Sequence, residues 1–144
     1  GEDPTSAQID ADLKLLAGTT RAVRTYSSIG TLGEIPALAR KHGLKVMLGS
    51  WIDSDRERND REVEAAIRLA NTNRNVTRIL IGNEVVLRGD LPVEDLIAHL
   101  DRVRAATKQP VSTAEPWHVW IKHPELVAHV DFITVHMRPY WEGV

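Results

Sequence analysis

The stretch ILIGNEVVLRG, Ile79 to Gly89, sets Asn83 and Glu84 directly after an apolar run that ends in Gly82. An amide next to a carboxylate at the end of a buried strand suits proton transfer, with the carboxyl as general acid or base. The plain alternative is a turn residue and an exposed loop acid. Four other apolar stretches finish in similar groups: Arg24, Tyr26 and Ser27; Trp51 and Asp53; Glu115, Trp117 and His118; His136, Tyr140 and Trp141. Aromatic faces beside carboxylates, amides and imidazoles suit a sugar, whose C–H faces stack and whose hydroxyls need donors and acceptors. Several of these residues also have plain structural alternatives. Tyr26 could pack on its strand, Arg24 could form a salt bridge inside a barrel, and Trp51, Trp117 and Trp141 could be core or rim. Arg24 and Tyr26 alternate along one strand, so they share a face.

Other chemistries lack their motifs. Gly82-Asn83-Glu84 has neither the Lys and Ser/Thr of a phosphate loop nor GxGxxG spacing. The six histidines show no HExxH or similar ligand spacing, which speaks against a zinc site. His42, His99, His123 and His129 fall on helices or connections and are expected at the surface.

The elements that must position these groups alternate regularly. Thr5-x-x-Gln8 is a capping box for a helix carrying Ile9, Leu13 and Leu16. Strands are expected at Ala22–Ser28, Lys45–Ile52, Arg78–Glu84, Pro110–Glu115 and Asp131–Met137. Helical spacing joins Val63, Ala66, Ile67 and Ala70, and again Val93, Leu96, Ile97, Leu100 and Val103. A helix from His118 to Val130 is expected to reset at Pro124, with Trp120 packing inside it. The charge-dense Arg56–Glu64 segment reads as a solvated helix start.

Strands alternating with amphipathic helices imply a parallel sheet covered by helices. An open doubly wound sheet is complete with five strands. A (β/α)8 barrel takes eight strands and typically about 250 residues. Length favours the open five-stranded parallel sheet. The strand ends favour the barrel, because a row would scatter the five groups that a barrel mouth gathers.

The chain has 144 residues, 42% apolar and 26% charged, as in one globular domain, here taken as residues 1–144. Its 18 basic and 20 acidic residues nearly balance, so nucleic acid is not an expected partner. No apolar run approaches a membrane span. With no cysteine there are no disulfides and no thiolate metal sites.

ILIGNE resembles the fourth strand of the clan of retaining glycosidases with (β/α)8 barrels, in which an Asn-Glu pair ends that strand. VRTYSS, GSWID, VSTAEPWHVW and DFITVHMRPYWEG resemble glycoside hydrolase family 17, the β-1,3-glucanases, most closely its bacterial hydrolases and glucosyltransferases. The resemblance spans essentially the whole chain, with five motifs in order. It implies that Glu84 is the acid/base and that Asn83 bonds the sugar 2-hydroxyl. It also implies that Arg24, Tyr26, Trp51, Glu115, Trp117, His136, Tyr140 and Trp141 line the substrate site. The family's chemistry needs no cofactor, its ligand is a β-glucan oligosaccharide, and its bacterial members act in the periplasm or otherwise outside the cytoplasm.

The resemblance further makes the five strands the second to sixth of eight, a partial (β/α)8 barrel. The family's nucleophile, in a Glu-x-Gly-Trp-Pro motif after the seventh strand, has no counterpart here; Glu115 and Glu142 are weak substitutes. This chain alone is therefore expected to be inactive. Its partners are expected to be the missing strands or a second copy, the alternative being a non-catalytic carbohydrate-binding half-barrel.

Overall fold

The computed structural model describes residues 3–136. Thr5 caps α1 (Ser6–Leu16) through the reciprocal box read from sequence, with both the Thr5 and the Gln8 side-chain bonds formed. There follow β1 (Ala22–Arg24), a 3-10 turn (Gly30–Glu34), α2 (Ile35–Lys41), β2 (Lys45–Ser50), α3 (Arg56–Thr72) and β3 (Val76–Asn83). Then come α4 (Val85–Arg88), α5 (Val93–Ala106), β4 (Val111–Pro116), α6 (Trp117–Lys122), α7 (Pro124–Val127) and β5 (Thr134–His136).

All five strands are parallel and lie in the order β1-β2-β3-β4-β5. This order decides between the two architectures. A doubly wound sheet needs a point where strand order reverses, and here it never does. Right-handed crossovers in constant order lay every helix on one face, and the sheet curls into a half-barrel. The open-sheet alternative is thereby excluded.

The core lies between the sheet's outer face and the helices. Val46, Leu48, Ile79 and Ile81 alternate along β2 and β3 and meet Ala39, Val63, Ala66, Leu96 and Leu100, all fully buried. Each such large side chain contributes about 1.5–3 kcal/mol relative to exposure. The opposite face carries Arg78, whose guanidinium lies 4.8 Å from the Phe132 ring centroid.

Three local expectations change. The first strand closes at Arg24, because the chain then turns so that Thr25, Ser27 and Ser28 are buried while Tyr26 is exposed. The segment expected to be solvated, Arg56–Glu64, contains Asn59 and Glu62, neither with any exposed surface. His42, His99, His123 and His129 are half-buried rather than exposed; burial pushes the His99 imidazole down, and His42 bonds Asp10 at 2.7 Å. Trp120 packs as expected, its indole N–H donating to the Thr134 carbonyl at 3.2 Å. The helix after β4 does break before Pro124.

Candidate active site

The C-terminal ends of the strands form one rim. At its centre the backbone of β3 leaves the sheet through two left-handed residues, Gly82 (φ 86) and Glu84 (φ 57). Glu84 is the one non-glycine residue with positive φ among the described residues. Such a conformation costs roughly 1–3 kcal/mol and persists only where neighbours impose it. The neighbours are identifiable. Thr113 Oγ donates to the Gly82 carbonyl at 3.2 Å, and Glu84 N–H donates to the Ala114 carbonyl at 2.8 Å. Arg88 donates to the Asn83 carbonyl, to the Ile52 carbonyl at 3.1 Å and to Asp90 at 2.8 Å.

The turn aims Glu84 across the rim. Its carboxyl meets His136 Nδ1 from β5 at 3.0 Å, with about a fifth of the Glu84 side chain exposed (18%). Arg24 reaches from β1 to Asn83 Oδ1 at 3.2 Å, and its guanidinium carbon lies 4.5 Å from the Tyr26 ring centroid. The structure thus brings Arg24, Tyr26, Asn83, Glu84 and His136 together. Arg24 forms no salt bridge among the described residues.

Trp51 stands at the end of β2, its indole N–H on Asp53 at 3.1 Å and the Arg88 guanidinium 4.8 Å from its ring centroid. A groove of about 380 Å³ opens between Tyr26 and Trp51, with Ile29, Leu32 and Arg58 on its outer wall. Trp117 is half exposed at the start of α6 and meets the His118 ring edge-on at 6.0 Å. Tyr140, Trp141 and Glu142 lie outside the described residues.

Glu115 departs from its expected place among the substrate contacts. It has no exposed surface, and its carboxylate accepts the Val86 and Leu87 N–H groups at 2.8 and 3.4 Å. Burial pushes its carboxyl above the ordinary value, opposed by these two N–H groups and reinforced by the charge of Glu84.

Three functional supports escaped the sequence reading. Glu62 accepts the Ser28 N–H at 2.9 Å, the Trp51 N–H at 3.0 Å and the Ser27 hydroxyl, joining the ends of β1 and β2. Asn59 holds Asp53 through both its backbone N–H and its carbonyl, at 3.0 and 2.7 Å. Arg88 ties β3 to β2. For Asn59 and Glu62 a signal existed: both share the buried face of α3 with Val63, Ala66 and Leu69. Polar residues on an apolar stripe announce buried partners. Among the described residues no group of three or more His, Asp or Glu could hold a metal ion.

A family model described as the BtgE/BtgC glycoside hydrolase domain matches residues 1–144. A glucan 1,3-beta-glucosidase of Schizosaccharomyces pombe is 33% identical over 92% of this chain and 46% of its own length. A probable glucan endo-1,3-beta-glucosidase (btgC) of Aspergillus flavus is 26% identical over 98% of this chain and 23% of its own length. Among solved structures, an active-site mutant of the Rhizomucor miehei beta-1,3-glucanosyltransferase in complex with laminaritriose superposes with a TM-score of 0.83 at 30% identity. That match covers 99% of this chain and 55% of the transferase. The beta-D-glucuronidase of Dictyoglomus thermophilum, at 18% identity and a TM-score of 0.63 over 94% of this chain and 26% of its own, shares the fold. The chain spans at most about half the length of these relatives.

Proposed function

The chain belongs to the BtgE/BtgC glycoside hydrolase family, and on that premise we propose that it supplies the acid/base half of a retaining β-1,3-glucan-active enzyme, hydrolase or transglycosylase. The observation that carries the reading is Glu84, held in a left-handed turn at the centre of the rim and facing His136. The motifs support placement in glycoside hydrolase family 17.

In this reading Glu84 gives its proton to the glycosidic oxygen as the C1–O bond breaks, then takes one from an incoming water or sugar hydroxyl. Asn83 bonds the 2-hydroxyl, and Arg24 fixes the Asn83 amide by occupying its oxygen, leaving the NH2 to donate. Tyr26 and Trp51 offer stacking faces, with Trp117 further round the rim. The nucleophile belongs roughly 5–5.5 Å from the acid. Of the rim carboxylates, Asp53 accepts the Trp51 indole N–H and the Asp55 N–H, and Glu115 is turned to backbone. We therefore place the nucleophile outside residues 3–136, with the strands that complete the barrel. The ligand is a β-glucan oligosaccharide, and the protein acts outside the cytoplasm, where such polymers lie.

The same engagement of Asp53 and Glu115 favours a second reading, a carbohydrate-binding half-barrel without turnover. Laminari-oligosaccharide turnover by the protein that carries this chain, with products sized by mass spectrometry, separates the two. Glu84→Gln should lower kcat/KM by about 10²–10⁴-fold. Undiminished turnover in that variant would refute the assignment of Glu84; binding without any turnover in the unaltered protein would establish the second reading.

A further inference from the structure

Burying a carboxylate is costly unless hydrogen bonds or a cation satisfy it. Arg88 acts on Glu115 through its charge, and the hydrogen bonds Glu115 accepts among the described residues both come from the start of α4. A helix leaves its first N–H groups without intrahelical partners. The residue that normally caps them stands just before the helix and folds its side chain back onto them. Here that residue is Glu84, which makes no side-chain cap bond; its carboxyl is turned toward His136 instead. One carboxylate cannot cap the turn and face a substrate at once. The cap comes from the neighbouring strand, where Glu115 accepts the N–H groups of Val86 and Leu87. The chain thus divides two tasks between two acids, and the second acid secures the segment that sets the direction of the first.

We propose that Glu115 is a positioning residue for Glu84, capping α4 from β4 and so holding the acid's backbone in its left-handed conformation. The inference rests on Glu84 acting as the acid. The burial that raises the Glu115 carboxyl fits a group kept for this contact, whatever its ionisation.

A positioning role has a signature that general destabilisation lacks. A glycoside whose leaving group is 2,4-dinitrophenolate needs no proton to depart, whereas a sugar leaving group does. The test compares kcat/KM on laminari-oligosaccharides and on the dinitrophenyl laminari-oligosaccharide of equal length, because this ratio covers binding and the breaking of the glycosidic bond but not the later release of the enzyme-bound sugar. It uses the protein that carries this chain, with Glu84→Gln as control. Glu115→Gln keeps an acceptor for Val86 but turns an NH2 toward Leu87, losing half the cap. It should lower kcat/KM on the oligosaccharide by about tenfold or more while leaving the dinitrophenyl substrate within about twofold. Glu115→Asp, which keeps the charge but shortens the reach, should show the same selectivity and serves if the glutamine variant does not fold. Equal losses on both substrates, or no loss on either, would overturn the proposal. If the Glu84→Gln control itself loses both activities equally, the acid assignment fails and the positioning role falls with it.

Discussion

The rim is built twice over from the same parts, and the two halves use them differently. On the β1–β2 side a buried glutamate, Glu62, accepts donors from both strand ends, and Gly49 lets the strands approach closely. On the β3–β4 side a buried glutamate, Glu115, accepts donors from one turn, and Gly82 supplies a positive φ. The aromatic half has no left-handed residue between Tyr26 and Ser28 or between Ser50 and Asp53, while the acid half has two within three residues. Gly30 (φ 63), on the groove beside Tyr26, takes a positive φ at no side-chain cost, so the strained non-glycine residue among those described, Glu84, lies in the acid half. A stacking platform needs only a surface in the right place. A proton donor needs a direction, and a left-handed turn imposes one that an ordinary strand end does not.

The strongest way to break the symmetry is Glu62→Ala. It leaves two backbone N–H groups and a hydroxyl unpaired in the interior, and should destabilise the fold by about 3–5 kcal/mol. Urea unfolding measures this, and any residual activity should show a raised KM with kcat nearly kept.

Gly49→Ala comes next. Its new Cβ would stand 2.0 Å from the Thr25 carbonyl oxygen, a contact only backbone movement can relieve. The expected loss is about 3 kcal/mol, at the upper end for overpacking, and the displaced β1 should carry Tyr26 away from the groove. A crystal structure of the variant would show it.

Gly82→Ala tests the acid half. The alanine would adopt φ near 86 with its Cβ 2.6 Å from Cγ2 of Val85, a fully buried and β-branched side chain. About 1–3 kcal/mol should be lost, and here kcat should fall with KM nearly kept, the reverse of Glu62→Ala. Similar kinetic changes in the two variants would end the distinction between a platform half and an acid half.

The smallest effect is one of pH. Burial raises the Glu115 carboxyl above its value in the unfolded chain. Between those two values the native state holds more protons than the unfolded state, so stability falls as pH rises through the window. Asp131 at the foot of β4 has the opposite sign. Its burial is outweighed by the Val111 N–H and by Arg104, which lower its carboxyl. Its contribution is present above the ordinary aspartate value and is lost as pH falls through the lowered one. Unfolding across acid to neutral pH should show Glu115→Gln removing the falling limb and Asp131→Asn the rising one.

Much of the frame was legible because it is local. The capping box at Thr5, the break before Pro124 and the apolar faces of α3 and α5 each depend on residues a turn or two apart. Asn83-Glu84 at the end of β3 was legible because an apolar run ended there in glycine. The place of Glu115 was not, since residues that alternate along a strand read alike whether a side chain meets solvent or the amides of the next loop. Asn59 and Glu62 were hidden by charged neighbours, although their position on the apolar face of α3 was open to reading.

The sequence by itself determined five parallel strands, their helices and the types of group at each strand end, because side-chain periodicity and turn chemistry act over a few residues. Tertiary structure alone decided the strand order that makes a half-barrel. It also made the pairings across 34 residues for Glu62 with Ser28, 29 for Glu115 with Val86 and 52 for His136 with Glu84. Such partners are chosen by the curvature of the whole sheet, and no local pattern of residues encodes it.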